Sequence, residues 1–151
     1  MSTTRIQRVL RAPRDSVYAA LLDPEQIARW RFPGGMTCEV HEFDAREGGT
    51  SRLSLTYEAP DRAGKSEGHT DTYHGRFVRL VPDELVVEAL EFETDDPAFA
   101  GEMTTTIELA DAVGGTDLRA VHEGVPDGVA AADNEAGWNQ ALDRLAALVE
   151  D

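Results

Sequence analysis

Histidine and cysteine are the residue types in this chain that most readily bind a metal ion or attack a substrate. The chain has one cysteine, Cys38, and four histidines, which are His41, His69, His74 and His122. With a single cysteine, the paired-cysteine spacing of zinc sites is absent. No residue close to Cys38 in the sequence would lower its pKa, so a buried, inert thiol is expected. The sequence therefore predicts neither a metal site nor a cysteine nucleophile, and no cofactor is expected.

His122 has the most informative position among the histidines. It follows Leu118 and Ala120 at alternate positions, so the three side chains share one face of a predicted strand. That face is expected to point inward. Two interpretations of His122 remain open: its ring is hydrogen-bonded to backbone at a strand end, or it lines a pocket or transfers protons.

Glu88 is the carboxylate whose position would suit acid–base chemistry. Alternation with Val86 and Leu90 would place it on the inner face of a strand, where burial raises a carboxyl pKa and suits a general acid or base. The opposite assignment puts Val87 and Ala89 inside and Glu88 in solvent. A strand bulge would exchange the two assignments, so the sequence leaves both open.

Large apolar side chains form the third group of candidate site residues. Each of them could equally fill the core of the protein. In the pocket interpretation they give a ligand apolar contact, while Tyr57 and His122 orient its polar group. The full set comprises Trp30, Phe32, Met36, Phe43, Tyr57, Phe92, Met103, His122, Trp138 and Leu142.

The bulk composition indicates one folded domain, residues 1–151. With 151 residues, 41% of them hydrophobic and 28% charged, the chain can bury about two thirds of its unfolded surface. The formal net charge of −15 repels nucleic acid and anionic lipid, so neither is an expected partner. The longest apolar run, 17–22, is far shorter than the roughly 20 residues that span a bilayer. Because the N-terminus also lacks the apolar core of a signal peptide, a cytoplasmic protein is expected. The oligomeric state stays open.

A first strand is predicted near residues 5–10, and the pattern then changes to that of a helix. Pro13 lies at a first-turn position, and Asp15 lies near the positive end of the helix. Val17 and Leu21 recur four residues apart. These signals predict a short helix.

A second short helix is predicted to begin with Asp23 as its cap and Pro24 in its first turn, and to end at Trp30. A helix of this length is not stable without tertiary anchoring. The stretch Phe32-Pro33-Gly34-Gly35 then restricts the chain at the proline and frees it at the glycines. Two interpretations remain open: a mobile lid whose Trp30 inserts over a cavity, or a fixed plug.

From residue 37 to residue 123 the pattern is mostly that of strands. Segments of alternating polar and apolar residues are separated by turn signals, of which Pro82-Asp83 and Gly114-Gly115 are the clearest. The polar stretch 59–68 is expected to be an exposed hairpin loop. About six antiparallel strands are therefore predicted.

A long C-terminal helix is predicted over residues 128–151, after Pro126-Asp127. Its apolar residues recur at spacings of four, three and four, so they form one stripe that should face the sheet. Gly137 inside the helix costs stability against alanine and allows a bend or a close backbone approach. The stripe consists of Trp138, Leu142, Leu145 and Val149.

These elements together predict an α+β fold in which a curved antiparallel sheet of about seven strands grips one long helix. A single helix cannot completely fill a twisted, curved sheet. Space therefore remains between the concave face and the C-terminal helix. The two short helices would close one end of that space, with Trp30 and Phe32 lining or capping it.

Four stretches carry a resemblance to a known family: RVLRAPRDSVYAALLDPEQIARWRFPGGM, GRFVRLVPDELVVEALEFE, GGTDLRAVHEGVP and GWNQALDRLAALVE. In this order they resemble the activator of heat-shock-protein-90 ATPase homologue-like branch of the START-like (SRPBCC) superfamily, over residues 5–150. The resemblance implies a helix-grip fold, like that of the birch pollen allergen, with a deep apolar cavity between sheet and C-terminal helix. Members of this superfamily bind lipids, polyketides and other hydrophobic molecules. A few are cyclases or dehydratases, and the branch takes its name from a co-chaperone domain.

Three functions are compatible with this reading. The first is binding of a hydrophobic or aromatic small molecule, lipid- or polyketide-like, in the cavity. The second is a cyclase- or dehydratase-type enzyme in which His122 or Glu88 transfers protons. The third is a chaperone-associated interaction domain. Because no catalytic constellation and no adaptor segment is recognisable, binding is the leading hypothesis.

Overall fold

The computed structural model of the protein describes residues 1–59 and 68–150. The predicted loop at 59–68 lies, apart from its two end residues, outside the described residues. Three helices and seven strands are present in the described chain. In chain order they are β1 (Ser2–Leu10), α1 (Arg14–Leu22), α2 (Pro24–Trp30), β2 (Met36–Phe43), β3 (Thr50–Tyr57), β4 (Thr70–Val81), β5 (Leu85–Phe92), β6 (Glu102–Ala112), β7 (Gly115–Val125) and α3 (Ala131–Val149).

The seven strands form one antiparallel sheet in the order β1-β7-β6-β5-β4-β3-β2. All strands after β2 pair with their neighbours in sequence, whereas β1 and β2 lie at opposite edges. The helices α1 and α2 therefore carry the chain from one edge of the sheet to the other. The α+β helix-grip fold predicted from the sequence is confirmed.

The long helix α3 packs on β1 and on α2 and buries the centre of its apolar stripe. Leu142 and Leu145 are both 0% exposed. Trp138 and Val149, at the two ends of the stripe, are half-buried. The stripe was therefore correctly predicted, but its burial is complete only in the middle. None of the helices in the described chain has the length and apolar character needed to cross a membrane.

Two helix starts differ from the sequence prediction. Helix α3 begins at Ala131 and not at residue 128, because the backbone N–H of Gly128 donates to Ala98 O at 2.7 Å and holds that segment against a loop. A Cβ at Gly128 would lie 2.6 Å from the same oxygen. Helix α1 begins at Arg14, so Pro13 precedes the helix as its N-cap and is not part of the first turn.

Helix α2 is anchored at both of its ends. Asp23 caps the N-terminus by accepting a hydrogen bond from the Glu25 backbone N–H at 3.0 Å, as its position in the sequence predicts. At the other end, the Trp30 side chain is 0% exposed and its indole N–H donates to Ala20 O at 2.9 Å. Trp30 is thus buried and hydrogen-bonded to α1 in this structure.

The segment after α2 is held by both layers of the fold. The Gly34 N–H donates to Gln140 Oε1 of α3 at 2.6 Å. Arg144, also on α3, donates to Phe32 O at 3.1 Å, and its guanidinium carbon lies 4.5 Å from the Phe32 ring centroid. On the sheet side, Gly35 O accepts from the Glu58 N–H at 2.8 Å.

Candidate functional site

One row of side chains across the inner face of the sheet is mostly polar. Strand register places each member opposite the next, on β4, β5, β6, β7 and β1 in turn. Opposed side chains on antiparallel neighbours have Cβ atoms about 4.5–5.5 Å apart. The adjacent row on β5, β6, β7 and β1 is entirely apolar, so polarity is concentrated in one line. This polar row consists of Phe77, Glu88, Thr105, His122 and Thr4, all of them buried.

Glu88 lies on the inner face and is paired with Arg31, the residue that follows α2. Arg31 Nη1 donates to Glu88 Oε1 at 2.7 Å, and the two side chains are 9% and 3% exposed. Burial disfavours the charged guanidinium, but the Glu88 carboxylate more than offsets this, so the pKa of Arg31 lies above its ordinary value. Glu88 is therefore on the inner face of the sheet, and its carboxylate has a charged partner there.

His122 also points inward, as its alternation with Leu118 and Ala120 predicts. Its Nδ1 accepts from Trp138 Nε1 at 3.1 Å and lies 3.1 Å from Asn134 Nδ2. Because an indole N–H can only donate, Nδ1 carries no proton. The proton of the neutral ring is then on Nε2, which is 3.3 Å from Met103 Sδ. Burial, with a further contribution from the positive charge of Arg31, lowers the pKa of His122 to about 4.

Thr105 lies between Glu88 and His122 in the polar row and is 1% exposed. Its hydroxyl has no hydrogen-bond partner among the described residues. A buried hydroxyl without a partner costs about 1–3 kcal/mol. The site therefore has an unused hydrogen-bonding group at its centre.

Tyr73 and Cys38 lie within the electrostatic reach of Arg31. Burial raises the pKa of the Tyr73 phenol, against the opposing effect of the Arg31 charge. Burial likewise raises the pKa of the Cys38 thiol to about 11, again opposed by Arg31. The thiol is consequently protonated at neutral pH, as expected for an inert cysteine. We use the term polar cluster for Arg31, Tyr73, Glu88, Thr105 and His122.

Half-buried aromatic residues lie beside the polar cluster. Phe32 is clamped under Arg144, and the neighbouring Pro33 is so close to α3 that a Cβ on Gly137 would lie 3.3 Å from it. Phe92 meets Tyr73 edge-on, with ring centroids 6.5 Å apart. We use the term rim for Phe32, Phe92 and Trp138, all of which are partly exposed. Tyr57, which is also partly exposed, lies at the end of β3 opposite Met36.

The other predicted site residues lie in the core. Phe43 is half-buried and meets Phe77 edge-on at a centroid distance of 5.3 Å. Four predicted site residues remain. Among the described residues, Met103 is the only one of these four that is hydrogen-bonded to the polar cluster, through its Sδ and His122 Nε2. Trp30, Met36, Met103 and Leu142 are each at most 3% exposed.

Arg31, Tyr73, Thr105 and Asn134 belong to the site but were not identified from the sequence. For Thr105 a signal existed, because it alternates with Met103 and Ile107 on a predicted inward face. Arg31 gives no such signal, since an arginine at a helix end is usually solvated. Arg31 belongs to the site only because the fold brings its guanidinium to the Glu88 carboxylate.

Two open surface depressions in the described structure do not reach the polar cluster. One, of 570 Å³, lies on the outer face of the sheet between Arg79, Leu85, Glu108 and Arg119. The other, of 390 Å³, lies beside the turn from β1 to α1. Among the described residues, no three His, Cys, Asp or Glu side chains are placed so that they could hold a metal ion.

Comparison with solved structures finds the same fold along nearly the whole chain. Protein CV1439 from Chromobacterium violaceum is 41% identical, with 99% of this chain and 97% of that chain covered and a TM-score of 0.89. A Rhodobacter sphaeroides protein is 22% identical, with coverages of 97% and 91% and a TM-score of 0.78. The AHSA1 protein of Silicibacter pomeroyi is 19% identical, with coverages of 97% and 96% and a TM-score of 0.78.

Comparison with protein families gives a match that covers almost the whole domain. No curated protein matches the chain with significant similarity. The family model described as "Activator of Hsp90 ATPase homolog 1-like protein", in contrast, matches residues 11–150. Together with the helix-grip fold, this match confirms the resemblance found in the sequence: the chain belongs to the activator of Hsp90 ATPase homolog 1-like family, within the START-like (SRPBCC) superfamily.

Proposed function

We propose that the protein binds a hydrophobic or aromatic small molecule between the sheet and α3, with the polar group of that molecule at the polar cluster. The observation that carries the proposal is the position of the cluster. Several polar groups converge on the inner face of the sheet, next to a row of apolar side chains, which is the usual form of a small-molecule site. Membership of a START-like family, in which ligand binding is common, supports it.

The rim is the proposed entrance. Trp138 connects it to the cluster by its hydrogen bond to His122, and Phe92 does so by its contact with Tyr73. Their partly exposed rings offer a ligand apolar contact outside the cluster. The two depressions described above lie elsewhere, and we propose that α3 and the segment after α2 separate at the rim to admit the ligand.

Binding without turnover accounts better for the two residues considered for proton transfer. The Nδ1 atom of His122 is occupied by the Trp138 N–H, and its Nε2 is directed at a methionine sulfur. The Glu88 carboxylate is paired with Arg31. Neither residue is set up as an acid or base that faces a substrate. A chaperone partner, which the family name suggests, is a separate proposal that none of these side-chain contacts favours.

A ligand titration of the thermal midpoint tests the proposal. A molecule that binds only the folded protein adds RT ln(1 + [L]/Kd) to its stability, about 2.7 kcal/mol at 100 times the Kd. We therefore expect octanol and naphthol to raise the midpoint in a concentration-dependent manner. No rise with either compound up to its solubility limit would contradict the proposal. Turnover of a bound compound that is lost in a His122 or Glu88 variant would replace it with the enzyme hypothesis.

Two matched variants locate the binding. Trp138→Ala removes a rim side chain and should weaken the effect of both compounds. Arg119→Ala removes a side chain of the outer-face depression and should leave the effect unchanged. The reverse result would place the ligand on the outer face of the sheet.

A further inference from the structure

The polar cluster has more hydrogen-bonding groups than its own contacts use. A guanidinium carries five N–H donors, and within the described residues Arg31 uses one of them, on Glu88. The Thr105 hydroxyl makes no hydrogen bond to any other described residue. Thr105 is 1% exposed, so its hydroxyl is an unpartnered group in the interior itself.

The cluster carries no net charge. The charges of Arg31 and Glu88 cancel at a contact distance of 2.7 Å. His122 is neutral because its Nδ1 accepts the Trp138 N–H. A ligand carboxylate would compete with Glu88 for Arg31 and would leave one buried negative charge without a partner, while a ligand ammonium would meet Arg31. Both arrangements are costly, because a buried charge without a partner of opposite sign is strongly disfavoured.

From these two observations we infer that the site takes the uncharged oxygen group, a hydroxyl or a carbonyl, of an otherwise apolar molecule, held by Thr105 and excluding carboxylates and amines. The Thr105 hydroxyl donates to a carbonyl, and it either donates to or accepts from a hydroxyl. The remaining N–H groups of Arg31, which binds Glu88 on the neighbouring strand, give further donors. This inference rests on the proposed function, since it names the class of ligand for the same interior.

A buried water molecule is the competing occupant of the space beside Thr105. Proteins often satisfy an isolated buried hydroxyl in that way. A site that holds only a water would not distinguish an alcohol from the hydrocarbon of the same shape through Thr105. A ligand site and a water site therefore predict different effects of Thr105 on the ratio of the affinity for naphthol to the affinity for naphthalene.

The experiment measures the affinity of the full chain, at neutral pH, for two series of compounds with constant apolar parts. One series is naphthalene, naphthol, naphthoate and naphthylmethylamine; the other is octanol, octanoate and octylamine. We expect each alcohol to bind about tenfold or more tightly than the charged members of its series. Thr105→Val should lower the affinity for naphthol by roughly 3- to 10-fold, the loss of one hydrogen bond, and leave that for naphthalene unchanged.

Two further variants serve as controls. Thr106→Val changes the next residue of β6, which lies on the opposite face of the strand, and should leave all affinities unchanged. Thr105→Ser keeps the hydroxyl and should keep the preference for naphthol over naphthalene. This variant provides a second measurement should the valine variant fold poorly.

Carboxylates that bind as tightly as the alcohols would overturn the inference, as would a naphthol-to-naphthalene ratio that Thr105→Val leaves intact. In both cases naphthalene still binds and the proposed function stands. If no compound binds, naphthalene included, the proposed function itself fails and this inference with it.

Discussion

His122 and Thr105 are neighbours in the polar row, yet their hydrogen-bonding groups are used very differently. Both ring nitrogens of His122 have a partner. At the end of the row, Asn134 donates to Thr4 Oγ1 at 2.9 Å. At the scale of single residues, the hydrogen-bonding atoms of the His122 ring are therefore used within the protein, while the Thr105 hydroxyl has no partner among the described residues.

The neutral state of His122 predicts a specific pH dependence of stability. The pKa of histidine is ordinarily 6.5, and that of His122 is about 4 in the folded protein. Between these values the unfolded chain binds a proton that the folded protein does not, so the free energy of unfolding decreases as the pH falls. The contribution of His122 is fully present above pH 6.5, and about 3 kcal/mol of it is lost by pH 4. Urea denaturation at a series of pH values measures this loss.

The variant His122→Gln isolates the effect from other titrating groups, since it offers an acceptor oxygen to Trp138 but does not titrate. The stability difference between wild type and this variant should shrink as the pH falls through that interval. His74→Gln, at a half-exposed side chain, is the matched control. An unchanged difference between wild type and His122→Gln would show that His122 is not held neutral.

At the scale of elements, α3 connects the core to the site. Its buried residues Leu142 and Leu145 fix the helix on the sheet, and Trp138, one turn earlier, reaches His122. Near the middle of the helix, Gln140 and Arg144 hold the segment after α2. The position of the rim relative to the polar cluster thus depends on how firmly this one helix is packed.

The packing of α3 gives the second prediction. Leu142→Ala and Leu145→Ala should each lower the free energy of unfolding by about 2–5 kcal/mol, because each leaves a cavity in a fully buried position. Asn139→Ala, at an exposed position of the same helix, should change it by less than about 0.5 kcal/mol. Chemical denaturation of the three variants decides it. Small losses at both leucines would mean that α3 does not grip the sheet as described.

At the scale of the whole molecule, the sheet, the segment after α2 and helix α3 meet at the polar cluster. The sheet contributes Glu88, the segment after α2 contributes Arg31, and α3 contributes Trp138. Trp30 is fixed to α1 by its hydrogen bond to Ala20. Opening for a ligand should therefore move α3 and the rim while Trp30 stays in place.

Two single-tryptophan proteins test which part moves. In Trp138→Phe the remaining emission comes from Trp30, and it should be that of a buried indole and should not shift when octanol binds. In Trp30→Phe the emission comes from Trp138 at the rim, and it should change on binding. A shift of Trp30 emission, with binding shown independently by calorimetry, would favour the mobile-lid interpretation of this segment.

The sequence by itself determined the order of the elements, the inward face of β7 and the apolar stripe of α3. It also gave the family, through four stretches in the right order. These features depend on local periods and end signals, which are written into neighbouring residues: Asp23 caps α2, and Leu118, Ala120 and His122 alternate on one strand. The boundaries were predicted less accurately: the start of α3 was placed too early, because Gly128 is held by the distant Ala98 and not by its own helix.

Tertiary structure alone decided which polar groups meet inside. A period of two divides a strand into two faces, but it does not name the residue opposite, and for β5 it left the inner face undecided. Glu88 is buried because β5 enters the sheet in that register, and it is tolerated there because Arg31, 57 residues earlier, reaches it. In the same way, Thr105 became a candidate ligand group only when its neighbours across the sheet were known. Pairings of this kind depend on strand register and loop path over the whole chain, and so no local pattern of residues contains them.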